Sequence, residues 1–130
     1  MTFGPRPQHR WLWKIEIVRW VDADTFVGRW DHGGRIYSVA PFRLAGIDAP
    51  EIHGVPIEEK NRGANATLRA ISLAPIGSVV IAETSKPDPG DKYGRWVAVI
   101  WPANGANPRD DRSVNQILVD EGHAVLKDYR

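Results

Sequence analysis

The stretch Arg43-Leu44-Ala45-Gly46-Ile47-Asp48-Ala49-Pro50-Glu51 ends an apolar, strand-like run with two carboxylates on a turn stiffened by proline. Upstream, Asp22-Ala23-Asp24-Thr25 ends another such run with a second pair of carboxylates. Taken singly, aspartates at such positions more often end strands or cap turns. Because hard cations such as calcium are bound by several oxygen ligands, carboxylates gathered at the ends of two neighbouring strands together favour a cation pocket.

Two arginines add positive charge to this pattern. Arg43 begins the first stretch, and Arg95 closes Asp91-Lys92-Tyr93-Gly94-Arg95, which precedes a further apolar run. Either arginine could simply pair with an acidic residue or remain a solvated charge. A guanidinium, however, presents its donors in a planar fork that holds a phosphate at two points. A cation pocket with two arginines therefore indicates phosphodiester chemistry.

Length and composition limit the alternatives. A chain of 130 residues has room for one compact domain, which we expect to span residues 11–130. The absence of cysteine excludes disulfides, a thiolate nucleophile and a zinc site built on sulfur, so a metal site must rest on carboxylates. With 17 basic and 16 acidic residues, the net charge of +1 is too balanced to attract polyanions by its bulk field, and any affinity for nucleic acid must be local.

We predict that residues 1–10 form a flexible segment ahead of the domain. They contain Pro5 and Pro7 but no apolar run, which is typical of neither a signal peptide nor a membrane span. We therefore expect a cytoplasmic protein without a membrane partner, with secretion left open if the chain is processed.

Period-two alternation and turn residues predict five strands, and helical spacing predicts two helices. Asp31-His32-Gly33-Gly34 supplies the residues that a tight hairpin needs between the second and third strands. Ser113, with Gln116 three residues later, gives a capping box, and Gly122 is placed to end that helix. The predicted strands are 11–21, 25–30, 35–44, 78–84 and 96–101, and the predicted helices are 58–73 and 113–122.

The first helix is expected to pack through Ala64, Leu68 and Ile71, with Gly63 as a weak point. The order of elements gives an α+β domain in which five strands could curl into a small barrel. Periodicity alone does not separate a five-stranded barrel from an open sheet.

The six tryptophans could stack on bases, since aromatic side chains on barrels of this kind bind single strands. We assign most of them to the core, because Trp11 and Trp13 continue an apolar strand face. Trp20 and Trp30 remain candidates for surface platforms, and Tyr93 is the better stacking candidate.

Four sequence blocks together are similar to the staphylococcal nuclease, or thermonuclease-like, family. The resemblance covers the chain from about Val18 to Gly122 and implies an OB-type five-stranded β-barrel with about three helices. In that family the reaction is hydrolysis of phosphodiester bonds that leaves a 3′-phosphate. The four blocks are Val21-Asp22-Ala23-Asp24-Thr25, Arg43 to Glu51, Asp91-Lys92-Tyr93-Gly94-Arg95 and Val114-Asn115-Gln116-Ile117-Leu118-Val119.

The resemblance implies a role for each charged position of the site. Carboxylates and one carbonyl would bind a calcium ion, two arginines would bind the scissile phosphate, and a glutamate would face the attacking water. By that resemblance, the calcium ligands are Asp24, Asp48 and the backbone carbonyl of Ala49, with Asp22 just behind them. The phosphate is bound by Arg43 and Arg95, and the water is positioned by Glu51. The neighbouring phosphate or sugar is reached by Lys92 and Tyr93.

One position departs from the family. Its members usually carry glycine where this chain has Ala23. If that turn required a positive φ, alanine would strain it by roughly 1 kcal/mol and reduce activity.

The sequence therefore predicts a monomeric, calcium-dependent endonuclease or exonuclease acting on DNA, RNA or both. The alternative is a noncatalytic OB-fold module that binds nucleic acid or protein, and the intact charged positions argue against it. A third reading is a nuclease domain cut from a longer protein.

Overall fold

The computed structural model describes residues 12–52, 54–85 and 94–127. Its strands are β1 (Leu12–Asp22), β2 (Thr25–Asp31), β3 (Tyr37–Leu44), β4 (Ile47–Asp48), β5 (Val79–Ser85), β6 (Trp96–Ile100) and β7 (Val125–Leu126). Its helices are α1 (Ile57–Leu73) and α2 (Val114–Asp120). Five strands close into a barrel in the order β1-β2-β3-β6-β5, while β4 and β7 form a separate two-stranded sheet. The five-stranded barrel and the α+β class are confirmed.

Antiparallel pairing holds most of the barrel together. β1 pairs with β2 and β5, β2 with β3, and β5 with β6, all in antiparallel register. The fifth pair, β3 with β6, is parallel. Apolar side chains shielded from solvent fill the interior, among them Ile15, Ile17, Phe26, Phe42, Leu44 and Ile100.

The β2–β3 hairpin forms where the sequence predicts it. The His32 N–H donates to the Ile36 carbonyl at 2.9 Å, and the Ile36 N–H donates to the Gly33 carbonyl at 3.0 Å. Gly33 and Gly34 have φ angles of +83° and +61°, which side chains rarely adopt. The two glycines therefore permit the tight connection.

A bulge in β1 changes which side chains face the core. Ile15 and Ile17 point inward as alternation predicts, but the pairing with β2 slips between Ile17 and Arg19. The extra residue shifts the alternation, so Trp20 rather than Arg19 turns inward and is only 8% exposed. Its indole N–H donates to the Ala74 carbonyl at 2.9 Å. The prediction of Trp20 as a surface platform is wrong.

Trp30 is a core residue as well. It is 5% exposed, and its ring contacts those of Trp13 and Trp96 edge-on, with centroids 5.3 and 5.1 Å apart. The Phe42 ring lies 5.6 Å away. Such aromatic pairs stabilise an interior beyond their apolar area. The prediction of Trp30 as a surface platform is wrong for this reason.

Helix α1 packs against β1 and α2 through small residues. It begins one residue earlier than predicted and ends at the predicted Leu73. Of the core face predicted for it, Ile71 is half-buried and packs against the core, but the prediction is wrong for Ala64, which is exposed, and for Leu68, which is 64% exposed. The buried residues of α1 are Gly63, Ala66 and Ala70.

Gly63 is the point of closest approach between α1 and the loop after β4. A Cβ atom at this position would lie 2.7 Å from the Pro50 carbonyl oxygen, 2.8 Å from that of Glu51 and 2.5 Å from the Ile52 side chain. Only glycine therefore lets this loop rest on the helix.

Helix α2 begins as the sequence predicts. The Ser113 hydroxyl accepts a hydrogen bond from the Gln116 N–H at 3.0 Å. The Gln116 side chain donates to Asp120 at 2.7 Å, so the reciprocal half of the capping box is replaced by a contact within the helix. Gly122, with φ of +79°, follows the helix end. The described residues contain two helices, where the resemblance implied about three.

We predict that Gly63→Ala lowers the melting temperature. Helix propensity alone would favour alanine by about 1 kcal/mol. The collision with two backbone carbonyls reverses this, since overpacking a close contact costs roughly 1–3 kcal/mol. Asn65→Ala, at an exposed position of the same helix, changes helix propensity without causing a collision, so this variant should melt at or slightly above the parent. Thermal melts of the three proteins would contradict the close approach if Gly63→Ala also melted above the parent.

Candidate active site

The ends of three strands meet at one end of the barrel. Asp22 pairs with Thr25 across the β1–β2 turn, and Thr25 pairs in turn with Arg43 on β3. Arg95 directly precedes β6, which pairs with the same end of β3. The Arg95 guanidinium donates to the Thr25 hydroxyl oxygen at 3.2 Å. Three separate sequence blocks are thereby brought together.

Asp24 is the buried centre of this cluster. One carboxylate oxygen accepts a hydrogen bond from the Ala49 N–H at 2.9 Å, and the other accepts one from the Thr25 hydroxyl at 3.0 Å. Arg43 Nη2 lies 3.9 Å from the first oxygen. Burial alone would raise the pKa of Asp24. A hydrogen bond from Asp22 and the contacts above outweigh burial and hold the pKa below its ordinary value.

Asp22 favours its protonated form. Burial, a hydrogen bond to the Asp24 carboxylate and repulsion by its charge raise the pKa of Asp22 to about 7, and the charge of Glu51 adds to the rise. Since the two neighbouring carboxyls shift in opposite directions, the pair holds one proton on Asp22.

Ala23 fits the turn between these two carboxyls without strain. Its φ angle is not positive, and its side chain is fully buried. The loss of activity that a strained Ala23 would have caused is therefore not expected.

Arg43 and Asp48 face each other at the rim of the cluster. The Arg43 side chain is only 13% exposed, and its Nη2 donates to Asp48 at 3.3 Å and to the Ile47 carbonyl at 3.4 Å. Asp48 is 41% exposed, and its second oxygen lies 3.8 Å from Lys127 Nζ. Arg43 thus contacts the two predicted calcium ligands, Asp24 and Asp48, through one nitrogen.

The remaining predicted site residues lie farther out. Glu51 is exposed on the loop after β4, near enough for its charge to raise the pKa of Asp22. Lys92 and Tyr93 fall outside the described residues, so the structure does not place them.

The donor chemistry of this cluster fits a hard cation such as calcium. It combines aspartate carboxylates with backbone carbonyls, and the pKa of Asp22 is raised chiefly by burial and further by the neighbouring Asp24 and Glu51, so a cation would favour its charged form. Within the part of the chain that the structure describes, no three acidic or histidine side chains converge as a ready-made metal site. The oxygens of Asp24 and Asp48 are instead engaged by protein donors.

Asn115 links three segments next to the site through its side-chain hydrogen bonds. This buried side chain donates to the Ala45 carbonyl at 3.0 Å and to the Ala98 carbonyl at 3.2 Å, and accepts from the Ile100 N–H at 3.2 Å. It therefore fixes α2, β6 and the turn that leads to Asp48. A polar residue on the apolar stripe of a short helix was the sequence signal for this role.

Two further contacts were not predicted. Thr25 links Arg95 to Asp24 through its hydroxyl group. Lys127 reaches Asp48 because β7 pairs with β4, and no local sequence pattern predicts that pairing.

The family model for staphylococcal nuclease homologues matches residues 41–130. The chain belongs to this family. Members of the staphylococcal nuclease family are generally nucleases, so the chain has a nuclease-type or nucleic-acid-binding function. No curated protein sequence matches the chain.

The matched residues begin after the Asp22–Thr25 turn. That turn joins the site through the contacts of Asp24 with Ala49 and Arg43, both of which lie in the matched region. Over the described ranges, no helix has the length and apolar character needed to cross a membrane.

We predict that stability without calcium falls as the pH rises from 3.8 to about 7, the ordinary and folded-state pKa values of Asp22. The folded protein then retains a proton that the unfolded chain has lost, so deprotonation costs stability. Solvent screening at this partly buried group makes the slope shallower than one full proton. The lowered pKa of Asp24 has the opposite effect on stability, which then rises with pH, but only at pH values below 3.8, the ordinary pKa of Asp24.

Denaturant unfolding across this pH range, in chelator, measures the effect. Asp22→Asn should flatten the profile. Asp120→Asn, at an exposed helix position, is the matched control: hydrogen bonds from Arg112 and Gln116 lower the pKa of Asp120, so its own effect on stability lies below pH 3.8 and the parent's slope above that pH should remain. A parent profile that is flat, or that rises with pH, would contradict a proton held on Asp22.

Proposed function

We propose that the protein is a calcium-dependent nuclease that hydrolyses phosphodiester bonds of DNA, RNA or both. One observation carries the proposal: Arg43 and Arg95 meet the carboxylates of Asp24 and Asp48 at a single end of the barrel. Arg43 contacts both carboxylates, and Arg95 reaches Asp24 through the Thr25 hydroxyl. Positive groups for a phosphate and oxygen ligands for a cation are thus adjacent.

The arginines bind and orient the scissile phosphate in this proposal. Arg43 is held by packing on β3 and by its contact with Asp48, so little side-chain freedom remains to be lost. Arg95 approaches from the start of β6, on the other side of Thr25. Two guanidiniums fixed in this way stabilise negative charge that builds on the phosphate oxygens, usually the largest catalytic effect.

Asp24, Asp48 and the Ala49 carbonyl would hold the calcium ion, with Asp22 behind them. When bound, calcium supplies positive charge that polarises the phosphate. Asp24 suits this role because its surroundings keep it ionised. Asp22 would lose its proton once a cation offsets the neighbouring charge.

Glu51 is the general base. It is exposed on the loop that Gly63 allows to lie against α1, and it is close to the aspartates. In the reaction a water oxygen bonds to phosphorus, and a water proton passes to the Glu51 carboxylate. The bond from phosphorus to the 5′ oxygen breaks, and that oxygen takes a proton from solvent. A 3′-phosphate and a 5′-hydroxyl remain.

Lys92 and Tyr93 would contact the neighbouring phosphate or sugar. All of the proposed groups come from one chain, so a monomer would suffice.

One assay separates the nuclease from a noncatalytic binding module. Purified protein is incubated with labelled DNA and RNA in calcium, in magnesium and in chelator. We expect cleavage in calcium, none in chelator and little in magnesium, because a flexible oxygen pocket suits the larger ion better than the strict octahedron that magnesium requires. Binding without cleavage under all three conditions would favour the noncatalytic module, and equal rates in magnesium would contradict the calcium preference.

We predict that Arg43→Lys and Arg95→Lys each lower turnover at least tenfold while the melting temperature changes little. Lysine keeps the charge but loses the two-point grip, and one charge-assisted hydrogen bond lost in the transition state corresponds to roughly this factor. Arg69→Lys is the matched control, since Arg69 makes a two-point contact with Glu121 at 2.7 and 2.9 Å on another surface. Near-parent turnover in either site variant would show that its guanidinium does not bind the scissile phosphate.

A further inference from the structure

The chain after α2 returns to the candidate active site. β7 pairs with β4 so that Val125 lies opposite Asp48, and the Lys127 N–H extends the pairing with a 2.8 Å hydrogen bond to the Gly46 carbonyl. Lys127 is therefore fixed through its backbone. Its side chain is 50% exposed, with Nζ 3.8 Å from Asp48. An ammonium group thus stands beside a proposed calcium ligand.

A cavity of about 330 Å³ opens beside this pair. It is lined by the loop after β4, by α1, by the segment that follows α2 and by Val125 of β7. Val125 and Lys127 are two residues apart along an extended segment, so their side chains share a face. Lys127 is connected to the cavity through its contact with Asp48, which lines it. The charged and titratable side chains of its lining are Asp48, Glu59, Arg62 and His123.

We propose that Lys127 and this cavity form a nucleotide subsite next to the scissile bond, with Lys127 binding the adjoining phosphate of the strand. The proposal rests on the proposed nuclease function. It assigns to Lys127 a positioning role that differs from the grip of Arg43 and Arg95 on the scissile phosphate.

The charge balance supports a phosphate as the ligand of Lys127. Without substrate, Lys127 and Arg43 both neutralise Asp48. If Asp48 holds a cation, that cation replaces Lys127 at this carboxylate, and the half-exposed ammonium can exchange its contact with Asp48 for one with another anion. A phosphate one nucleotide from the reacting centre is the anion that the substrate supplies. The small side chains of Ala49, Ala124 and Val125 leave an apolar wall for the attached nucleoside.

The subsite predicts how affinity depends on substrate length. Binding of fluorescent, phosphorothioate-linked oligothymidylates, which resist cleavage, is measured in calcium from the dinucleotide upwards. In the parent, affinity should increase in a step when the strand becomes long enough to place a phosphate at Lys127. Lys127→Ala should remove that step, weakening longer strands about 3- to 10-fold, and Lys127→Arg should restore most of it.

The salt dependence gives a second readout. Loss of one phosphate contact to a single strand should lower the slope of log affinity against log salt by about 0.7. Lys14→Ala is the matched control, because Lys14 is exposed on β1 eight residues before Asp22, about 25 Å along the strand, and should keep the parent's slope.

A Lys127→Ala protein that keeps the parent's length step and salt slope, even with a changed melting temperature, would show that Lys127 only neutralises Asp48 and would overturn the subsite alone. A parent that binds none of these strands and cleaves neither labelled DNA nor labelled RNA in calcium would overturn the nuclease function itself. The two failures are therefore distinguishable.

Discussion

The buried carboxylate of Asp24 holds the two halves of the site together. It lies in the β1–β2 turn and accepts a hydrogen bond from the backbone of Ala49, 25 residues away, while Thr25 and Arg43 approach its other sides. A buried carboxylate is stable only where donors and positive charge replace water. The turn, the end of β3 and the loop after β4 must therefore meet, and this places Asp48 and both arginines around one point.

The same arrangement opposes folding. Burial, together with the nearby charges of Asp24 and Glu51, raises the pKa of Asp22 to about 7. The protein meets this crowding by keeping a proton on Asp22 and by placing Arg43 and Lys127 at Asp48. Strongly shifted carboxyl groups in a cluster are more typical of functional sites than of structural ion pairs. A cation would relieve this repulsion.

The sequence predicts those parts of the fold that depend on local patterns. Alternation places the five barrel strands within about two residues of their observed bounds, and Gly33 with Gly34 marks the hairpin correctly. Features that depend on packing between elements were mispredicted. A bulge in β1 turns Trp20 inward, and α1 buries its smallest residues because the loop above Gly63 lies so close.

The candidate site, like the fold, could be predicted where it depends on local sequence and not where it depends on packing between elements. Its charged residues could be named from four sequence blocks, and the structure brings Asp22, Asp24, Arg43, Asp48 and Arg95 together. The contribution of Lys127 could not be predicted, since it depends on where β7 docks, and the position of Asn115 in its helix gave a signal without naming its partners. Lys92 and Tyr93 lie outside the described residues, so their roles remain predictions.

The central claim is that this carboxylate cluster binds calcium, and thermal melts with and without calcium test it most directly. If calcium binds the folded cluster and not the unfolded chain, it should raise the melting temperature of the parent by mass action. Asp48→Asn should melt close to the parent in chelator, because the contacts of this half-exposed side chain contribute little, yet it should gain much less from calcium. Asp120→Asn, away from the site, should show the parent's full rise. A parent whose melting temperature ignores calcium, or an Asp48→Asn protein with an undiminished rise, would contradict the account.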